Sequence, residues 1–242
     1  MTKNKTVQKF RSYLGAFLLI ANLLTITVTQ AAATPASFAP VNAHYFIELN
    51  TNKEHPFKGK FQEMFQDAAN GAEHPEMLQL LINNIENTDL AYSQIHRTDS
   101  SEEISFLTVT IDQDLFNQAV SSSADIQVTE LGLGRKIYQN GNDFFFTYLE
   151  GNLVAASEKG FISDLLMQNQ KPDSILKNNG YQNFNSKANP ESFLKIFQDF
   201  QHQPSTQDDY YYGPVVPDWL KSQGYAFSQT LNGIEGQIVV NL

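Results

Sequence analysis

Between residues 126 and 157 the chain breaks into four short apolar-rich stretches punctuated by glycine, and this pattern constrains the fold more than any other feature. Residues 126–131, 135–139, 143–149 and 152–157 read as strands. Asn140-Gly141 and Gly151-Asn152 stand between them, and such pairs supply the positive φ that tight hairpins require. The stretch therefore predicts an antiparallel meander. Phe144, Phe145, Phe146, Tyr148 and Leu149 feed both faces of one strand, which is expected to be central and covered twice.

Residues 43–49 predict an earlier strand. Pro56 then opens a helical spacing through Phe57, Phe61, Met64, Phe65 and Ala68, which Gly71 stops. Pro75 opens a second helix with Met77, Leu78, Leu81, Ile82 and Ile85 on one face. Residues 89–96 and 104–111 follow as strands joined by the polar segment 98–103. Asp112 is placed to cap a short helix carrying Leu115, Phe116, Ala119 and Val120. Ser157 is placed to cap another that buries Phe161, Ile162, Leu165 and Leu166. The chain ends on an Asn232-Gly233 hairpin with Ile234, Ile238 and Val240 pointing one way, so its C-terminus belongs to a sheet.

Residues 189–200 read two ways. Asn189 and Pro190 look like a helix cap and first turn, with Phe193, Phe197 and Phe200 at helical intervals. Yet Asn189-Pro-Glu-Ser-Phe-Leu-Lys-Ile echoes Asn42-Ala-His-Tyr-Phe-Ile-Glu-Leu, which reads as a strand. A second echo follows in the same order, Leu90-Ala-Tyr-Ser-Gln against Tyr225-Ala-Phe-Ser-Gln. Either a strand–helix–hairpin unit is duplicated, with sub-units at 38–124 and 185–242 around a central meander at 125–184, or amphipathic strands resemble one another by chance. If the repeat holds, 192–197 is a strand. Both versions give an α+β fold, an antiparallel sheet packed by helices, in a single domain at 34–242.

Lys3, Lys5, Lys9 and Arg11 precede an apolar run at 13–28 that ends in Ala31, Ala32 and Ala33. A basic head, a short apolar middle and an Ala-x-Ala end predict a signal peptide at 1–33 and an exported, periplasmic protein of bacterial type. A membrane-spanning helix needs about 20 apolar residues. The run is shorter and carries Asn22, Thr25 and Thr27, so an inner-membrane anchor at 13–28 is the alternative, and membrane contact is expected only if the segment stays uncleaved. The chain has no cysteine, which excludes disulfides and a lipid-modified N-terminus. A net charge of −10 with few clustered bases argues against nucleic acid and against anionic lipid.

Chemical signatures are sparse. The sequence has no Gly-x-Ser-x-Gly elbow, phosphate loop or His-Glu-x-x-His helix, and Gly132-Leu-Gly134 reads as a turn between strands. His44, His55, His74, His96 and His202 never stand three or four apart, so no helix presents a local metal pair. Asp112 and Asp114 read as capping residues, since Leu115 and Phe116 stand where a calcium loop needs its glycine and further oxygens. No catalytic residue, cofactor or metal is expected. The most distinctive segment is 207–219, where Tyr210, Tyr211 and Tyr212 stand beside two acids and are followed by two prolines and Trp219. Tyrosine and tryptophan bury large area with few rotors, which makes these four a candidate interaction surface, with core-capping as their other reading.

The parts Phe144 to Tyr148, Gly151, Val154-Ala-Ala-Ser157, Phe161 to Leu166, Ser174-Ile-Leu176, Tyr181 and Phe184 resemble a family of exported bacterial envelope proteins known only as a domain of unknown function. The opening Tyr45-Phe-Ile-Glu-Leu49 resembles the start of that family. The resemblance implies an envelope protein of α+β architecture and carries no catalytic residues across. Export, a sizeable core and no reactive constellation lead to a non-catalytic, partner-binding or scaffold protein. The alternative is a periplasmic carrier of an apolar or lipid ligand in a Phe-lined cavity, and the third reading is an enzyme of unrecognised class.

Overall fold

The computed structural model describes residues 33–50, 89–96, 103–123, 126–140, 144–167, 173–202, 220–231 and 233–242. Residues 33–242 group as one compact unit. The segment at 1–32, the helices expected at 56–71 and 75–85, and Tyr210, Tyr211, Tyr212 and Trp219 lie outside the described residues.

The described chain builds one ten-stranded sheet in which every pairing is antiparallel. Its strands are β1 (Tyr45–Asn50), β2 (Asp89–His96), β3 (Glu103–Thr110), β4 (Ile126–Gly132), β5 (Arg135–Asn140), β6 (Phe144–Leu149), β7 (Asn152–Ala156), β8 (Ser192–Asp199), β9 (Ser222–Thr230) and β10 (Gly233–Asn241). Their order across the sheet is β10-β9-β8-β1-β2-β3-β7-β6-β5-β4. Three helices pack on it among the described residues: α1 (Gln113–Ser122), α2 (Lys159–Met167) and α3 (Asn179–Lys187). The fold is α+β, an antiparallel sheet packed by helices.

The expected meander is present as β4 to β7. Leu133 and Gly134 form the two-residue turn between β4 and β5, both at positive φ. At the β6–β7 hairpin the turn pair is Glu150-Gly151 rather than Gly151-Asn152, because Asn152 already pairs with Leu149. β6 is covered on both faces as expected, by α1 and α2, but it lies third from the β4 edge and not at the centre. Asp112 caps α1 by accepting from the Asp114 N–H. Ser157 lies two residues before α2, and its hydroxyl accepts from the Ser105 N–H on β3.

Strand register sorts the side chains into two layers, since alternate residues face opposite sides. One row crosses the sheet as Val239, Gly224, Phe197, Phe46, Ser93, Phe106, Ala156 and Phe145. Under it lies the main core, closed by α2, α3 and the 3-10 turn Pro35–Phe38. Asn178 caps the start of α3, its Oδ1 accepting from the Tyr181 N–H. Tyr181 and Phe184 then pack on Phe46 and Phe197 at centroid distances of 5.1 to 6.0 Å. The neighbouring row, Ile238, Tyr225, Ile196, Ile47, Tyr92, Leu107, Ala155, Phe146 and Tyr138, faces the other side. Phe116 of α1 covers its Phe146–Tyr138 end.

The helix reading of residues 189–200 is overturned. Asn189 Oδ1 does accept from the Glu191 N–H, but the chain enters β8 at Ser192. Phe193 and Phe197 are four apart, a spacing that period two satisfies as well as a helical turn, and pairing with β1 and β9 decides for the strand.

β1-β2-β3 and β8-β9-β10 are two three-stranded meanders joined through the β1–β8 pair. Glu48 lies opposite Lys195 at that junction, Ala91 lies opposite Glu48, and Ala226 lies opposite Lys195. Both sequence echoes equate these same residues, Glu48 with Lys195 and Ala91 with Ala226. Strand order and register therefore agree with the duplicated-unit reading in the hairpin part of the unit.

Candidate functional site

The residue before β1, the first of β3 and the last of β2 and β8 gather polar side chains that are far apart in sequence. His44 immediately precedes β1 and is buried. Its backbone is clamped on both sides, with its N–H donating to Gln94 O of β2 and its carbonyl accepting from Asp199 N of β8. Its ring stacks on that of His96, the last residue of β2, at 4.0 Å between centroids and 20° between planes. Opposite His96 stands Glu103, the first residue of β3. Nε2 of His44 and Nε2 of His96 lie 3.8 and 3.9 Å from the same atom, Glu103 Oε1. Gln94 Nε2 donates to the other carboxylate oxygen, Oε2, at 3.2 Å.

A second polar group adjoins His44. Asp199 is buried and accepts from Asn178 Nδ2 at 2.8 Å and from the Gln201 N–H at 3.0 Å. His202 Nδ1 stands 3.0 Å from Asp199 Oδ2. Burial and the neighbouring His96 lower the pKa of His44 to about 4, against a smaller upward pull from Asp199. The His44 ring is therefore neutral at physiological pH, with lone-pair electrons open to a Lewis acid.

Helical spacing brings no two of the histidines together, but strand pairing does. His44, His96 and Glu103 each offer a ligand atom, and those atoms all lie within 4.8 Å of one another. Once β2 and β3 are taken as a hairpin, His96 and Glu103 become cross-strand partners, and the β1–β2 register brings His44 alongside. Asp112 and Asp114 take no part beyond capping α1. The candidate surface Tyr210, Tyr211, Tyr212 and Trp219 lies outside the described residues.

Two clefts flank α2. One, of about 270 Å³, lies between α2 and strands β3 and β7 and is lined by Phe38, Phe106, Val154, Phe161, Ile162 and Leu165 among others. The other, of about 380 Å³, is lined by Phe116, Arg135, Lys136, Tyr138 and Tyr148 among others. Among the described residues no helix is long and apolar enough to cross a membrane.

No protein-family model matches the sequence, and no curated protein does. Among solved structures, crystal form IV of TP0453 is similar at a TM-score of 0.51 and 10% identity, covering 87% of this chain and 81% of that one. Crystal form III of the same protein aligns at a TM-score of 0.49 and 11% identity, over 87% of this chain and 80% of that one. At this identity the likeness concerns the fold alone.

Proposed function

We propose that this chain is an exported, non-catalytic envelope protein that binds another protein by accepting an extended segment along β10. The observation that carries this reading is the edge itself. β10 has nine residues, ends the strand order of the sheet among the described residues, and exposes Ile234, Ile238 and Val240 on one face. Long apolar edges invite strand addition, and soluble proteins usually blunt them with lysine, proline or bulges. β10 contains none of the three, and Glu235 is its only charged residue. Export rests on the basic head, apolar run and alanine end at 1–33. The resemblance to envelope proteins of unknown function supports the same compartment.

A photo-crosslinker placed at residue 238 in growing cells tests the reading. It should trap one defined protein in the envelope fraction, on a chain that starts at Thr34. A crosslinker at exposed Leu176, away from β10, should trap none. Equal capture at both positions, or a chain confined to the cytoplasm, defeats the proposal.

The apolar cleft under α2 favours a second reading, a carrier of a small apolar ligand. Ligand pockets commonly run from about 300 to 1,000 Å³, so its 270 Å³ suits only a short acyl or aromatic group. A stoichiometric adduct in a native mass spectrum of the protein from its own envelope would select this reading over the first.

A further inference from the structure

We propose that His44, His96 and Glu103 bind one divalent transition-metal ion of the zinc class. The three donors converge already. Both Nε2 atoms approach Glu103 Oε1, at 3.8 and 3.9 Å, which is too long for a hydrogen bond. Two ligands on one zinc at ~2.1 Å stand ~3.4 Å apart across a tetrahedral angle. Closing each separation by roughly 0.4 Å, with one ring turned out of the stack so that both in-plane Nε2 lone pairs meet, seats an ion among them.

The rings are also free to ligate. None of the four ring nitrogens of His44 and His96 has a hydrogen-bond partner among the described residues, and both Nδ1 atoms are buried. Polar atoms buried without a partner are costly, and His44 is only 7% exposed. An ion on Nε2 leaves the two buried Nδ1 atoms as they are; what qualifies the rings as ligands is that neither Nε2 is held by a hydrogen bond among the described residues. Glu103 is oriented for the same purpose: Gln94 holds Oε2 and leaves Oε1 pointing at the rings.

The donor set chooses the ion. Two imidazole nitrogens with one carboxylate oxygen suit zinc, cobalt, nickel or copper, whereas calcium and magnesium require an oxygen cage. Glu103 is 47% exposed on its side chain, so an ion enters from that side and keeps a position open to water. The inference does not depend on the partner-binding reading, since the donors sit at the ends of β1, β2 and β3, away from the β10 edge.

The test uses full-length protein without a histidine tag, stripped with EDTA and dialysed, then titrated with Co²⁺ and afterwards with Zn²⁺. One equivalent of Co²⁺ should bind with visible d–d absorption, and Zn²⁺ should displace it. Glu103→Gln and His96→Gln should each weaken binding roughly tenfold or more while keeping the wild-type unfolding curve. Asp173→Asn, an exposed carboxylate outside the cluster, should leave binding unchanged. His44→Gln is a poorer probe, because a buried residue clamped between two strands also decides folding. Failure of the wild type to take up one equivalent overturns the proposal. So does unchanged binding in both variants, which would put the ion on the acidic surface, or a loss in Asp173→Asn equal to that in Glu103→Gln.

Discussion

Glu48 and Lys195 meet across the β1–β8 pair with Oε2 and Nζ 3.4 Å apart, at the register position that both sequence echoes share. The pair is largely shielded under α3. Tyr181 donates its hydroxyl to Glu48 at 3.2 Å, and Lys195 donates to Asn185 Oδ1 at 2.9 Å. Burial, then the Glu48 charge, pushes the Tyr181 hydroxyl well above its ordinary pKa, so it remains a donor. A single ionic network thus ties the helix to the seam between the two meanders.

Removing one partner of that pair leaves the other charge poorly solvated. Glu48→Gln and Lys195→Gln are each expected to cost about 1–3 kcal/mol in urea unfolding. The double variant should cost less than the sum, with a coupling on the order of 1 kcal/mol. Additive losses would show the two side chains to be energetically independent.

Gly224 is where β9 admits the Phe184 ring. A Cβ built there would stand 2.3 Å from Phe184 Cδ2, inside any real contact distance. Gly224→Ala is expected to destabilise by about 3 kcal/mol through overpacking. Adding Phe184→Leu should recover part of the loss. A neutral Gly224→Ala in thermal unfolding would show that α3 rides loosely on the sheet.

Acid should weaken the fold through His44. Burial and the adjoining His96 hold its pKa at about 4 in the folded chain, against an ordinary 6.5. Between these values the unfolded chain binds the extra proton, so stability is fully present above pH 6.5 and falls as pH drops towards 4. The total is about 3 kcal/mol. Unfolding curves in EDTA across this window should lose that slope in His44→Phe, and an unchanged slope would assign the acid limb to other groups.

Ile238 is 63% exposed, so Ile238→Lys should change stability by no more than about 0.5 kcal/mol. With the photo-crosslinker placed instead at residue 234, on the same exposed face of β10, this variant should abolish the trapped envelope partner, because a lysine on the edge opposes strand addition. Retained capture with unchanged yield would move the interface elsewhere.

Much of the sheet was legible because period-two apolar runs and glycine turns are local signals. The β4–β7 meander and the C-terminal hairpin rest on residues a few positions apart. β8 was ambiguous because Asn189-Pro190 and the phenylalanines at 193, 197 and 200 satisfy a helix and a strand alike; only pairing with β1 and β9 decides. Ser157 looked like a cap by position, yet its hydroxyl serves a β3 amide 52 residues earlier in the chain. The histidine cluster was invisible for the same kind of reason. His44 and His96 become neighbours only when β1 lies on β2, and no local spacing carries that information.

The two meanders are not finished alike. β3 and β10 are counterparts about the Glu48–Lys195 junction, but β3 has β7 along its outer side whereas β10 ends the sheet among the described residues. The register places Ile238 in the role that Val109 plays, and Val109 has Leu153 of β7 opposite it. β7 is thereby a template for the segment proposed to dock on β10: a short antiparallel strand of small and aliphatic residues, with a leucine-sized side chain where β10 shows Ile238.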